Sequence, residues 1–219
     1  MTTTTVTESP RITAGNVLRL FPFIDTHNAS QSMTSDDHEL QGYDEVQVRL
    51  MKEECIVLDD NDAPIGSASK KECMCERGLA PFNATAHRSS GHLIENIDKG
   101  LLHRAFSVFL FDSNNRLLLQ QRAPEKITFP NMWTNTCCSH PLDVPGETGA
   151  ELVTAVEGAK KAAQRKLDQE LGIKPKQVPL EKFRYLTRIH YKAPNGDGKW
   201  GEHESEYLCC SSIHITSQY

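Results

Sequence analysis

Apolar positions along the chain recur with two different periods. Between residues 150 and 171, Leu152, Val156, Ala159, Ala163, Leu167 and Leu171 return every three or four residues, and Gly172 follows them. That spacing predicts one amphipathic helix closed by a glycine cap. Elsewhere the period is two. Residues 101–111 place Ala105, Ser107, Phe109 and Phe111 on one side and Phe106, Val108 and Leu110 on the other, which predicts a strand buried on both faces. Asn114-Asn115 reads as a hairpin turn, with residues 116–122 returning as the partner strand. Residues 43–50 and 55–58, with the turn 59–62 after them, predict a strand pair. Residues 185–191 and 202–208 predict two further strands, joined through the turn-rich stretch 193–198. Strands around one long helix indicate an α+β domain with a mixed β-sheet.

Two stretches carry no such period. Residues 1–42 are rich in Thr, Ser, Asp and Asn, with one apolar patch at 17–23. They bury too little to offset the entropy of ordering, so a disordered N-terminal arm is expected before a domain spanning 43–208. Residues 74–91 hold Gly, Pro and Ser without period and read as an insertion loop.

Composition narrows the partners. The 219 residues hold 24 Lys+Arg against 29 Asp+Glu, a net charge of −5 with no basic cluster, which argues against nucleic acid. The longest apolar run is far short of the roughly 20 residues a membrane helix needs, so no membrane partner is expected. The start lacks a secretory signal pattern, although Thr-rich sequence with Arg11 and Arg19 hints at a transit peptide. Seven cysteines, an odd number, read as reduced thiols. A cytoplasmic monomer is expected, with the peroxisome and mitochondrion ranked behind; the last residues Ser217-Gln218-Tyr219 are not a peroxisomal address.

Three constellations could carry chemistry. In TNTCCSHP (134–141), Cys138 stands two residues from His140 and can be a nucleophile, an acid/base group or a thiol beside a metal-bound imidazole, but the spacing alone is a weak signal that a buried thiol and a surface histidine in a loop also explain. In GEHE (201–204), strand alternation puts Glu202 and Glu204 on one face, which suits either a cation between them or a solvated edge strand. His92, His103 and His140 could add nitrogen ligands to the two Glu, making a mixed N/O site for Zn, Mn or a Mg-like cation. Lys70-Lys71, Arg122, Lys126 and Arg165-Lys166 form a clamp for a small polyanion if they converge, and solvated surface charges if they do not. Lys166 and Glu170 are spaced for a surface ion pair, or Glu170 for holding a divalent cation.

KGLLHRAFS (99–107), LLQQR (118–122), TNTCCSHP and GEHE, in this order, resemble the metal-dependent (type I) isopentenyl-diphosphate isomerases of the Nudix superfamily. RKLDQELGI (165–173) looks like a worn form of the Nudix helix, with Lys166 and Gln169 replacing two of its Glu and Glu170 retained. The resemblance runs from Tyr43 to Leu208 and implies a Nudix-type fold and interconversion of isopentenyl and dimethylallyl diphosphate. It also implies His92, His103, His140, Glu202 and Glu204 as metal ligands and Cys138, Glu204 and Tyr191 in catalysis. Lys70, Arg122, Lys126, Ser139 and Lys166 would then meet the diphosphate, with Mg²⁺ shared by Glu170. The worn helix argues against the alternative of a Nudix pyrophosphohydrolase.

The chain departs from the family in two places. Relatives continue past GEHE into a stretch bearing a Trp that stabilises the cation, whereas residues 209–219 here read as a non-family tail. The 18 residues 74–91 separate Lys70-Lys71-Glu72-Cys73 from His92, which in relatives stand almost together. Both are expected to derive from translated non-coding sequence. The expectation is a domain lacking its C-terminal part, reduced in stability and activity, or a non-catalytic truncated product.

Overall fold

The computed structural model describes residues 13, 15, 16, 40–74, 101–194 and 200–212. Nearly all of the 1–42 arm, residues 75–91 of the expected insertion, His92 and residues 213–219 of the tail lie outside these described residues. In chain order the elements are α1 (Glu45–Leu50), β1 (Glu54–Leu58), β2 (Pro64–Ser69), α2 (Lys70–Met74), β3 (His103–Phe111), β4 (Gln120–Gln121), β5 (Trp133–Thr134), β6 (Cys137–Ser139), α3 (Leu152–Leu171), a 3₁₀ turn (Leu180–Lys182), β7 (Arg184–Pro194) and β8 (Gly201–Ser212).

Helix α3 forms where the 3.6-residue period places it. The Glu151 N–H donates to Thr154 Oγ1 in its first turn. At its other end Gly172 takes φ +68°, and the Gly172 and Ile173 N–H groups return to the Asp168 and Leu167 carbonyls, a left-handed cap that a side chain would disfavour. Val156, Ala159, Ala163 and Leu167 are buried as the stripe requires, whereas Leu152 is exposed. The small residues let other backbone come close. A Cβ on Gly158 would stand 2.1 Å from the Glu147 carbonyl oxygen.

The main sheet has the order β2-β1-β3-β8-β7, with β6 added to β3. β3 and β8 are parallel, in register from His103↔Glu204 to Phe111↔Ser212, and the other pairs are antiparallel. Phe106, Val108, Leu110, Tyr207 and Cys209 pack against Ala155, Ala159, Ala163 and Leu167 of α3 to make the largest core. The opposite face of β3 and β8 carries polar groups instead. β8 runs four residues beyond the expected 208, its Cys209–Ser212 segment pairing with Val108–Phe111.

Two strand expectations are corrected. Residues 43–50 do not form a strand. The Asp44 carboxylate accepts the N–H groups of Val46 and Gln47 at 3.0 and 3.1 Å, an N-cap that starts α1. The strand paired with β1 is β2, reached through the expected turn, where Asp59 accepts from the Asn61 and Ala63 N–H groups. Residues 116–122 do not return alongside β3 as a full strand; only a single Phe111↔Leu117 bridge forms. Thr136 intervenes, its hydroxyl accepting from Leu110 N–H and donating to the Leu118 carbonyl. β6 then takes the edge of β3, while β4 pairs with β5 in a separate two-stranded sheet.

A buried polar tie joins the turn after β1 to β8. Asp62 accepts from the hydroxyls of Ser205 and Tyr207 and pairs with Arg188 at 2.9 Å and Arg104 at 3.5 Å.

Candidate active site

Alternation along β8 sends Glu202, Glu204 and Glu206 to the face away from α3, and the parallel register sets His103 beside Glu204. β6 turns Cys138 to the same side, opposite Ser107, and runs on through Ser139 to His140. These residues, apart from His103, line a cavity of about 310 Å³ together with Lys70, Arg122, Lys126, Glu170 and Tyr191.

His103, His140 and Glu204 form the tightest cluster, their ligand atoms all within 4.8 Å of one another. Glu204 Oε1 lies 2.9 Å from His140 Nε2 and 3.6 Å from His103 Nε2. His103 Nδ1 lies 2.8 Å from the Leu101 carbonyl, so this nitrogen carries a hydrogen and Nε2 is the ring atom that faces the cluster. That buried Nε2 has no hydrogen-bond partner among the described residues. An orphaned imidazole nitrogen beside a second imidazole and a carboxylate is a donor set that fits a divalent cation.

The electrostatics point the same way. Burial would raise Glu204, but the two imidazoles outweigh it and hold the carboxyl well below the usual range. Burial would lower His103, but the pull of Glu204 outweighs it and raises the ring to about 9. For His140 burial prevails over Glu204, and the ring falls to about 4. Glu202 is raised to about 7 by burial and by the charge of Glu204. Tyr191 donates toward both carboxylates, at 3.1 Å to Glu202 Oε2 and 2.8 Å to Glu204 Oε2. Burial and the same two carboxylates push its phenol far up, so it keeps its proton.

Cys137 and Cys138 part company because strand neighbours face opposite sides. Cys137 enters the core under α3. Cys138 lines the cavity, 3.7 Å from Arg122 Nη1 and 3.8 Å from Thr134 Oγ1. Burial pushes the Cys138 thiol up despite the opposing pull of Arg122. Arg122 is itself aimed by the carbonyls of Thr128 and Phe129.

The cations converge. Lys126 and Lys166 stand 3.5 and 3.2 Å from Glu170 Oε1, and Lys70 is lowered by burial and then by repulsion from Lys166 and Lys126. Burial would raise Glu170, but Lys166, Lys126 and Lys70 outweigh it and hold it down. The Lys166–Glu170 pair is thus buried and not a surface pair. Lys166 stands behind Glu170 and does not line the cavity, whereas Ser139 does. Arg165 takes no part in the clamp. It grips Glu147 at 2.6 and 2.8 Å and donates to the His140 carbonyl, bracing the loop that presents His140.

Two acidic residues were not anticipated. Glu206 lines the cavity, hydrogen-bonded from Ser107, and burial raises it to about 7. The alternation of Glu202 and Glu204, carried one step further, points to it. Glu147 has no local signal, since its partner Arg165 lies 18 positions away.

The NUDIX domain family matches residues 101–212. Isopentenyl-diphosphate delta-isomerase of Aspergillus fumigatus is 67% identical over 210 residues, covering 93% of this chain and 68% of that protein. The enzyme of the same name from Gibberella zeae is 59% identical over 95% of this chain and 71% of its own. That of Schizosaccharomyces pombe is 59% identical over 80% of this chain and 68% of its own. The chain therefore spans 68 to 71% of the length of these relatives.

Proposed function

The chain belongs to the isopentenyl-diphosphate delta-isomerase family, within the Nudix superfamily, and from that premise we propose that it interconverts isopentenyl and dimethylallyl diphosphate at the cavity of β3, β6 and β8. The observation that carries the proposal is one cavity lined both by proton-handling groups, Cys138, Tyr191, Glu202 and Glu204, and by the cations Lys70, Arg122 and Lys126.

The diphosphate meets Lys70, Arg122, Lys126 and Ser139, with Lys166 adding charge from behind Glu170. Lys70, crowded by two other ammonium groups, gains from an anion that relieves their repulsion. Moving the double bond needs a proton delivered to the terminal carbon and one removed from the carbon nearer the diphosphate, through a tertiary cation. Cys138, held as a thiol, is the donor in one direction, and Glu204, held as an anion with the Tyr191 hydroxyl on it, is the acceptor. In the reverse direction the roles exchange. His103, His140 and Glu204, with Glu202 close by, would hold a divalent metal, Mg²⁺ first and Zn²⁺ or Mn²⁺ as alternatives, and His92, outside the described residues, is a further candidate ligand. Glu170 would hold Mg²⁺ beside the diphosphate. A cation at the His/Glu cluster would supply positive charge that keeps Glu204 ionised, and one at Glu170 would offset the charge of the diphosphate.

Hydrolysis of a nucleoside diphosphate is not favoured, because on the helix position 166 is Lys and Gln169 is exposed, leaving Glu170 as its one carboxylate at the cavity. Among the described residues no helix is long and apolar enough to cross a membrane. The six described cysteines are free, which supports a reducing compartment such as the cytoplasm; a monomer acting on a diffusible small molecule is part of the same proposal.

The test is incubation of the chain with isopentenyl diphosphate and Mg²⁺ in D₂O. Dimethylallyl diphosphate carrying deuterium, lost in Cys138→Ala, is the expected result. Release of inorganic phosphate without isomerised product would overturn the assignment.

A further inference from the structure

Strand alternation has a second consequence on the far side of β7 and β8. With Glu202 and Glu204 turned to the cavity, His203 between them faces the opposite side, and so does His190 beside the cavity-facing Tyr191. In the antiparallel register His190 lies opposite Ser205 and His203 opposite Lys192, which makes the two histidines diagonal neighbours on one face. Their Nε2 atoms stand 2.9 Å apart, with the rings 19° from parallel and their centroids 5.0 Å apart. His190 is exposed and His203 half-buried, so the pair is open to solvent on one side.

At 2.9 Å the facing nitrogens cannot both carry hydrogen; one donates and the other offers its lone pair. The same two nitrogens suit a borderline-soft cation once each ring pivots so that the lone pairs converge beside the line that now holds the proton. We propose that His190 and His203 form a surface site for one transition-metal cation, separate from the His103–His140–Glu204 cluster, with a bite suited to tetragonal Ni²⁺ or Cu²⁺ over tetrahedral Zn²⁺. The bite distance decides the metal class. With metal–nitrogen bonds of about 2.0 Å, two cis ligands at a right angle lie about 2.8 Å apart, whereas a tetrahedral angle opens them to about 3.3 Å. The observed 2.9 Å separation matches the first, and a pivot of the two rings about their side-chain torsions brings the lone pairs together without moving either strand.

The hairpin holds the donors in place. β7 and β8 are paired from Arg184↔Cys210 to Pro194↔Gly201, so both side chains leave a fixed backbone and little order remains to be imposed on binding. Capture by the second nitrogen is intramolecular, a gain of about 100-fold over one imidazole. Mg²⁺ prefers oxygen ligands and does not compete here. The inference stands whether or not the isomerase reading does, since no cavity residue enters it.

The test is titration of the full chain with Ni²⁺ and, separately, Zn²⁺, by calorimetry, beside His190→Gln and His203→Gln. Amide line broadening by Ni²⁺ is mapped on the unsubstituted protein. The expected result is one Ni²⁺ more per chain than in either variant, with broadening centred on residues 190 and 203, Zn²⁺ at least tenfold weaker there, and Mg²⁺-supported isomerase activity unchanged in His190→Gln. Equal Ni²⁺ stoichiometry and affinity in all three proteins would overturn the site. Broadening confined to the His103–His140–Glu204 cluster would do so even if both variants failed to fold, and Zn²⁺ binding as tightly as Ni²⁺ at the pair would overturn the tetragonal assignment.

Discussion

β3 and β8 present two faces of opposite character. Toward α3 they offer Phe106, Val108, Leu110, Tyr207 and Cys209 to an alanine-rich helix; away from it they offer His103, Ser107, Glu204 and Glu206, all buried. The first face gains free energy from every side chain removed from water. The second loses solvation on every one and recovers only part through hydrogen bonds and opposite charge. One face thus keeps the sheet folded while the other holds charges that folding alone would not select. The lesson is that the same alternation lets two strands carry stability and chemistry without either set intruding on the other.

The division can be broken from either side. Glu204→Gln should lower kcat per folded molecule by about 10³-fold or more while circular dichroism stays native-like, and should also lower the melting point at neutral pH, because His103 and His140 lose the carboxylate they hold ionised; retained turnover would remove the carboxylate from the chemistry. Phe106→Ala opens a cavity beneath α3 and should cost about 3–5 kcal/mol, read as a melting point lower by roughly 10 °C, with kcat per folded molecule little changed. Lys70→Ala should raise KM by about 10- to 100-fold, more than it lowers kcat, in steady-state assays, because its charge faces the diphosphate before and after the proton moves.

The smallest effect concerns Glu202. Its folded value of about 7 exceeds the ordinary 4.5, so the folded state binds this proton more tightly than the unfolded chain does. That contribution is fully present below pH 4.5 and is lost as pH rises through 7. With metal removed by a chelator, Glu202→Gln should therefore be more stable than the unsubstituted chain at pH 8, by on the order of 2 kcal/mol. Melting curves at pH 8 and pH 4.5 should show the gap closing at the lower pH.

Legibility in the sequence followed the physics of each element. α3 could be read because twenty residues of one period leave no other solution, and β3 because its apolar residues occupy both faces. α1 could not: Val46, Val48 and Leu50 fit an alternation, and only the Asp44 cap favours the helix. The strand expected after Asn114-Asn115 was lost to one hydroxyl, that of Thr136. Glu202 and Glu204 share a face by local geometry alone. Their meeting with His103 depends on a parallel register between distant strands, which no local pattern encodes; the family resemblance, and not periodicity, grouped those residues. Bracing groups such as Glu147 and Arg165 are invisible for the same reason.

The parallel pairing of β3 with β8 also sets a clock. Ser107 and Glu206 hydrogen-bond across 99 positions of chain. A ribosome adding about 5–20 residues per second needs about 5–20 s to travel that distance. Throughout that interval His103 and the inner face of β3 exist without the strand that completes them. Nascent chains must therefore shelter a half-built hydrophobic strand for far longer than a helix or hairpin takes to form, and the cavity is among the last features of the molecule to come into being.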